Sequence, residues 1–232
     1  MAALAWCCIR GGVTWGRAVA VERRGWNNQR ESAALRLEAL VVGELAPVSL
    51  TVAPGEILCL SGPSGSGKSR LLRAIADLDA HGGEVWLGRQ RRSGVKGHCW
   101  RGWVMLVPAD SQWWGERVGD HLAQELGGQC AALGFEAPVA DWQVSRLSSG
   151  EKQRLALLRA WSRQPRALLL DEPTANLDPA LTERTEAWIR HWARQAGLPV
   201  IWISHDPAQI ARVADRHYRI RNKLLESADG GD

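Results

Sequence analysis

Gly62-Pro63-Ser64-Gly65-Ser66-Gly67-Lys68-Ser69 is the stretch from which the fold can be read. It fits the spacing G-x-x-x-x-G-K-S/T, in which the backbone turns so that successive N–H groups point inward at phosphate oxygens. The residues before it, Ile57 to Leu60, form a short unbroken apolar run, the pattern of a buried strand. After it, Leu71, Leu72, Ile75 and Leu78 recur at helical spacing. A helix therefore follows Gly67 and offers the positive end of its dipole to the same phosphates. Lys68 suits the β- and γ-phosphates of a nucleotide, and the Ser69 hydroxyl suits Mg2+. The candidate nucleotide-binding residues are Gly62, Pro63, Ser64, Gly65, Ser66, Gly67, Lys68, Ser69 and Arg70.

A second site stands far downstream. Leu168-Leu169-Leu170-Asp171-Glu172 is an apolar strand that ends in two acids. A buried strand delivers Asp171 to its carboxyl edge, where Mg2+ or its waters can be held. Glu172 is next in line and can polarise an attacking water. Apolar strands often simply stop at polar residues, so the pair gains its weight from the phosphate loop.

The rest of the chain supports an α/β reading. Alternation at Leu35 and Leu37, and again at Val48, Leu50 and Val52, predicts half-buried strands, with Pro54-Gly55 as a turn. Gly82-Gly83 is expected to end the first helix, and Val85 and Leu87 to start another strand. Residues 110–146 have a weaker pattern and are expected to be mostly helical. Ser148-x-x-Glu151 is a capping box opening a helix over 151–163, closed by Pro165. Ala167 to Leu170 is a buried strand. Asp178-Pro179 and Asp206-Pro207 each pair an N-cap with an N1 proline. The first of these helices has Leu181, Trp188, Ile189 and Trp192 on its apolar face, stops at Gly197 and Pro199, and leads to a strand from Val200 to Ile203. Strands feeding helices after an antiparallel β portion imply a mostly parallel sheet flanked by helices.

Leu147-Ser148-Ser149-Gly150-Glu151-Lys152-Gln153-Arg154 resembles the LSGGQ signature of the ABC ATPases, and it stands just upstream of the Asp171-Glu172 strand as in that family. Ala175-Asn176-Leu177-Asp178 resembles the D-loop, and Ser204-His205-Asp206 the switch histidine after a strand. The resemblance runs from about Leu35 to Ile220. It implies a P-loop NTPase of ABC type with a small helical subdomain at about 112–150. The implied ATPase domain covers 35–225, after an N-terminal extension (1–34) and before a flexible tail (226–232). It also implies two subunits arranged head to tail with ATP between them. Each ATP would lie on one subunit's phosphate loop and face Ser148, Ser149, Gly150 and Glu151 of the other. Free N–H groups and a dipole at that helix start suit a γ-phosphate supplied in trans. Glu172 and His205 are then the catalytic candidates, Asp178 the D-loop residue, and Ser69 and Asp171 the Mg2+ ligands.

Three positions depart from the family pattern. Alignment of Gly115-Glu116-Arg117-Val118 puts Ala109 where the Q-loop glutamine usually stands, with Gln112 three residues on as the alternative. The aromatic that stacks on adenine is missing, since the Val41-Val42 region offers only aliphatics. Ser149 replaces a signature glycine.

Composition narrows the partners. The net charge is +4, and residues 1–34 supply +3 of it through Arg10, Arg17, Arg23, Arg24 and Arg30 against Glu22 and Glu31. A near-neutral body is poor support for a reader of nucleic-acid backbones, so no nucleic-acid partner is expected. The cluster Arg89, Arg91, Arg92, Lys96 and Arg101 reads as a solvated loop or hairpin face. Five cysteines without a CxxC pair signal neither a disulfide framework nor zinc, and fit a reducing cytoplasm. No apolar run approaches the roughly 18 residues needed to span a bilayer. A membrane link therefore goes through a partner.

The expected function is ATP binding and hydrolysis in a homodimeric ATPase that drives a transmembrane permease from the cytoplasmic face of the membrane. Trp113 and Trp114 are either core residues or a socket for the permease. Parts of the chain are similar to small ATPases of metal (iron) export systems. The rivals are a soluble ABC ATPase of DNA repair or translation and a weakly hydrolysing nucleotide-dependent regulator. Only about 80 residues separate the phosphate loop from the signature, too few for the long coiled coil of repair-type members.

Overall fold

The computed structural model describes residues 32–228, so the expected extension up to residue 31 and the last four residues of the expected tail lie outside the described residues. Strands β1 (Leu35–Val41) and β2 (Val48–Val52) pair antiparallel. In β2 the residues Val48, Leu50 and Val52 are buried while Ser49 and Thr51 face solvent, the period of two expected for a half-buried strand. Strand β3 (Ile57–Ser61) is buried at every position and feeds the phosphate loop and α1 (Lys68–Ile75). Strands β4 (Gly82–Leu87) and β5 (Gln90–Arg91) complete a four-stranded antiparallel sheet in the order β2-β1-β4-β5. There follow α2 (Gly97–Trp103), β6 (Val104–Val107), α3 (Gln129–Ala132), α4 (Ser149–Ser162), β7 (Ala167–Asp171), α5 (Pro179–Ala196), β8 (Val200–Ile203), α6 (Pro207–Val213), β9 (Arg216–Arg221) and β10 (Leu224–Ser227). The second sheet has the order β10-β9-β3-β8-β7-β6 and is parallel except for β10 at its edge.

The central strands are apolar throughout because both of their faces are covered. Leu58, Leu60, Leu169, Ile201 and Ile203 pack with the antiparallel sheet and α1. Their alternates Cys59, Leu168, Leu170, Val200 and Trp202 pack with α4 and α5. Trp100 of α2 is fully buried and donates from Nε1 to the Ile75 carbonyl (2.9 Å), closing the end of α1.

The three caps read from the sequence are formed. Ser148 Oγ accepts from Glu151 N (3.3 Å) while Glu151 Oε2 accepts from Ser148 N (2.8 Å). Asp178 Oδ1 accepts from Leu181 N (2.9 Å) and Asp206 Oδ1 from Ala208 N (2.8 Å). Helix α4 starts at Ser149, two residues before the expected 151, because the capping serine lies outside the helix that it caps.

Several expectations are corrected. Residues 110–146 are not mostly helical: they hold 3-10 turns at Val118–His121 and Val144–Arg146 and the single four-residue helix α3. Gly127 and Gly134 adopt left-handed conformations there (φ 52° and 80°), and a helix cannot pass through them. Leu78 lies beyond α1 and is exposed, since Asp77 turns left-handed (φ 60°) after Ala76. Gly82 and Gly83 begin β4 rather than ending the helix; a Cβ on Gly83 would collide with the carbonyl oxygens of Glu38 and Ala39. Ala33 is buried just ahead of β1, and β10 runs to Ser227.

Three members of the basic cluster on the hairpin side, Arg91, Arg92 and Arg101, are ion-paired. Arg91 meets Glu84 and lies over the Trp86 ring, while Arg92 and Arg101 share Asp77. A second charged network is interior. Glu186 of α5 is 3% exposed and accepts from Arg212 Nε and Nη2 (2.8 and 2.7 Å) and from Gln209 Nε2 (2.8 Å). The Gln209 amide also donates to Thr174 Oγ1 (2.8 Å), so α5, α6 and the loop after β7 are held as one body.

Two outcomes follow from these contacts. Arg212→Ala strands the buried Glu186 carboxylate and should cost about 3 kcal/mol in denaturant unfolding; adding Glu186→Gln should recover part of that loss. The Glu151 carboxyl lies below its ordinary 4.5, first because it accepts from the Ser148 backbone N–H and then from the hydroxyl. Its contribution is thus complete above the unfolded value and disappears as the pH falls through the lower folded one. Melting temperatures taken between roughly pH 5 and 3 should fall less steeply in Glu151→Gln than in the wild type.

Candidate functional site

Three neighbouring parallel strands end side by side in the order β3-β8-β7, with Asp171 in register with Ile203. Each releases chemistry just past its last buried apolar residue. β3 releases the loop Gly62–Ser69, β8 releases Ser204 and His205, and β7 releases Asp171 and Glu172. Such carboxyl edges are where open α/β sheets bind ligands.

The phosphate loop is shaped by backbone geometry that only glycine adopts easily. Gly62, Gly65 and Gly67 have φ of 146°, 77° and 98°. A Cβ on Gly62 would come within 2.7 Å of the Ile220 carbonyl oxygen, and one on Gly67 within 3.2 Å of Leu45. Ser66 Oγ, within the loop, is buried with no hydrogen-bond partner among the described residues, an unsatisfied polar atom of the kind that a bound group can complete. Lys68 is only 6% exposed, and its ammonium donates to the carbonyls of Gly62 and Pro63 (both 2.9 Å). An ammonium has three N–H donors, which leaves one for a phosphate. Burial pushes the Lys68 pKa down, while the carboxylates of Glu172 and then Asp171 pull it up. The loop lysine and the two strand-end acids therefore lie close enough to influence one another.

Glu172 has a left-handed backbone (φ 48°), unusual for a side chain of this kind and costing of order 1–3 kcal/mol. It is over-determined by its neighbours. Its N–H donates to Ile203 O (3.2 Å), and its carbonyl accepts from Ala175 N (3.2 Å) and from Gln153 Nε2 (2.7 Å). This conformation aims the carboxylate at His205, whose Nε2 lies 3.1 Å from Glu172 Oε1. The pair lines a cleft of about 240 Å3 together with Thr174, Ser204 and Gln209.

Among the described residues, no set of three or more His, Cys, Asp or Glu side chains is placed to hold a metal by itself. Ser69 and Asp171 would supply the sparse oxygen donors that suit Mg2+, with phosphates and water completing its shell. In the stretch resembling the signature, Gly150 packs on the loop before α5, where a Cβ would come 2.9 Å from Asn176 O. Ser149 is exposed, which explains why a serine is tolerated at that position and not at Gly150.

Gln112 is not drawn into this cluster by any contact found. Its amide reaches Asp110 Oδ2 (3.5 Å), and its carbonyl accepts from Arg159 Nη1 (2.8 Å). The tryptophan pair beside it divides between the two readings. Trp113 is half-buried, whereas Trp114 is 71% exposed. His121, fully buried, meets both rings edge-on (4.8 and 4.4 Å) and accepts from Gly115 N at Nε2 (3.0 Å). Burial pushes its pKa down, which keeps Nε2 an acceptor. Arg159 lies over both tryptophans (4.6 and 5.4 Å). Sequence reasoning missed His121, Arg159 and Gln153. Gln153 stands inside the quoted signature stretch, but no spacing rule connects it to Glu172.

Residues 45–175 match the family model described as ABC transporter. The Fe(3+) ions import ATP-binding protein FbpC of Streptomyces coelicolor is 37% identical over 202 residues, 80% of this chain and 57% of that protein. The sulfate/thiosulfate import ATP-binding protein CysA of Xanthomonas campestris pv. campestris is 32% identical over 206 residues, 80% of this chain and 59% of that protein. The chain thus spans somewhat more than half the length of the curated relatives that it matches. A bacterial Atm1-family ABC exporter solved with ATP bound shares the fold, with a TM-score of 0.75 at 24% identity over 84% of this chain and 38% of that one. The matched stretch takes in the phosphate loop, the capped helix α4 and the Asp171-Glu172 pair, and on that ground the chain belongs to the ABC transporter family.

Proposed function

We propose that this chain binds and hydrolyses ATP and powers a membrane transporter as one half of a head-to-tail pair of ATPase subunits. The observation that carries the proposal is the convergence of Lys68, Asp171, Glu172 and His205 at adjoining strand ends. Relatives named as import ATP-binding proteins support the transport role. Among the described residues no helix is long and apolar enough to cross a membrane, so the proposal assigns the membrane path to a permease.

In this reading the residues Gly62 to Arg70 wrap the phosphates, with Lys68 opposite the terminal one. Ser69 and Asp171 would hold Mg2+ beside the phosphates, where it would supply charge neutralisation. Glu172 accepts a proton from a water whose oxygen bonds to the γ-phosphorus. The bond from that phosphorus to the bridging oxygen breaks, and ADP and phosphate leave. His205 holds the Glu172 carboxylate and contacts the γ-phosphate. Ser148, Ser149 and Gly150 of the second subunit, with Glu151 capping their helix and Asp178 beside the joint, close over the same nucleotide. Trp114, exposed yet braced by His121 and Arg159, is the docking point for the permease on the cytoplasmic face.

Two measurements test these assignments. Phosphate release by Glu172→Gln should fall about 100-fold or more below the wild type, while size-exclusion chromatography with ATP shows a more persistent dimer. Equal, negligible rates in both proteins would mean a nucleotide-dependent regulator instead. Trp114→Ala should weaken recovery of a polytopic membrane protein in detergent pull-downs at least tenfold with an unchanged melting temperature; undiminished recovery would place the dock elsewhere.

A further inference from the structure

Gln153 is 4% exposed and lies in the second turn of α4. Both ends of its amide are engaged, and both engage the segment after β7. Nε2 donates to the carbonyl of Glu172 (2.7 Å), and Oε1 accepts from Asn176 Nδ2 (3.2 Å). Earlier on the same helix, Gly150 lies flush against Asn176 and Leu177, with no room for a Cβ. The first two turns of α4 are therefore joined to residues 172–177 by packing at one level and by a paired amide at the next. The peptide that Gln153 grips is the one in which Glu172 takes its left-handed conformation. A shift of that peptide redirects the carboxylate that lies 3.1 Å from His205.

We infer that Gln153 is a positioning residue that couples the N-terminal turn of α4 to the carboxylate of Glu172. The inference rests on the head-to-tail reading above, in which that turn touches the nucleotide held by the second subunit. From Ser149, next to the capping Ser148, to Gln153 is four steps of one helix, about 6 Å of rigid rise. Closure of the partner's nucleotide on Ser148 then moves Gln153, and with it the Glu172 peptide of the same subunit. The two nucleotide sites of the pair thereby sense each other through one buried side chain. A plain structural role for Gln153 predicts lost stability without a selective effect on turnover.

The purified full chain is assayed as wild type, Gln153→Met, which keeps the volume and removes both bonds, and Gln153→Glu, which keeps an acceptor for Asn176 but sets an acceptor oxygen against the Glu172 carbonyl. Misplacement of a reacting group by about 1 Å can cost about 100-fold. Both variants should lose kcat on that order while keeping the KM for ATP and the affinity for a fluorescent ATP analogue. The Hill coefficient for ATP should fall towards one in both. A Ser148→Ala/Gln153→Met double variant should fall no further than the worse single one, as expected for residues acting in one chain of contacts. Unchanged kcat and Hill coefficient, or a kcat loss matched by an equal loss of folded protein, would refute the coupling. A wild type that binds ATP but neither pairs nor hydrolyses would overturn the head-to-tail reading and the coupling with it. A wild type that does both beside unimpaired Gln153 variants overturns the coupling alone.

Discussion

A strand buried on both faces must be apolar along its length and can turn polar only beyond its last packed residue. β3, β8 and β7 obey this rule side by side, so their first polar residues emerge together at one edge of the sheet. Lys68, His205, Asp171 and Glu172 come from stretches more than 100 residues apart at the extremes, yet the sheet order leaves them nowhere else to meet. The antiparallel sheet, α1 and the helices of the other face serve this arrangement by keeping both sides of the strands dry.

At that edge the backbone departs from its comfortable geometry, and the surroundings hold it there. The phosphate loop solves the problem with glycines, whose missing Cβ lets Ile220 and Leu45 approach. Glu172 cannot use that solution because the proposed chemistry needs its side chain. Its left-handed conformation is instead held by hydrogen bonds from three directions: β8, its own loop and α4. The buried Thr174–Gln209–Glu186–Arg212 network continues the same support into α5 and α6. A polar network of this kind rigidifies when every member is satisfied, which suits a loop whose position is set by the elements packed against it.

The faces proposed to meet partners are built differently. The start of α4 is polar: its capping box engages the N–H groups of Ser148 and Glu151 and the Ser148 hydroxyl, and the exposed Ser149 adds a second hydroxyl in place of apolar area. The loop at Gln112–Gly115 presents the Trp114 ring, held at a fixed angle by a neutral histidine and an overlying guanidinium. Such an anchor loses little freedom on docking, the usual requirement for an energetic hot spot.

The sequence by itself determined the phosphate loop between strand and helix, the acids at the end of β7, the three helix caps and the alternating strands. Each depends on residues within one turn or one strand, where spacing alone decides the geometry. It did not determine the turn-rich stretch after β6, since left-handed glycines such as Gly127 and Gly134 break helices that a weak apolar pattern leaves open. Only the tertiary structure decided that Trp113 is partly covered while its neighbour is bare, that Arg92 and Arg101 converge on Asp77, and that Gln153 grips the Glu172 peptide. Those are contacts between elements distant along the chain. No periodicity records them, because their partners are chosen by how the layers pack.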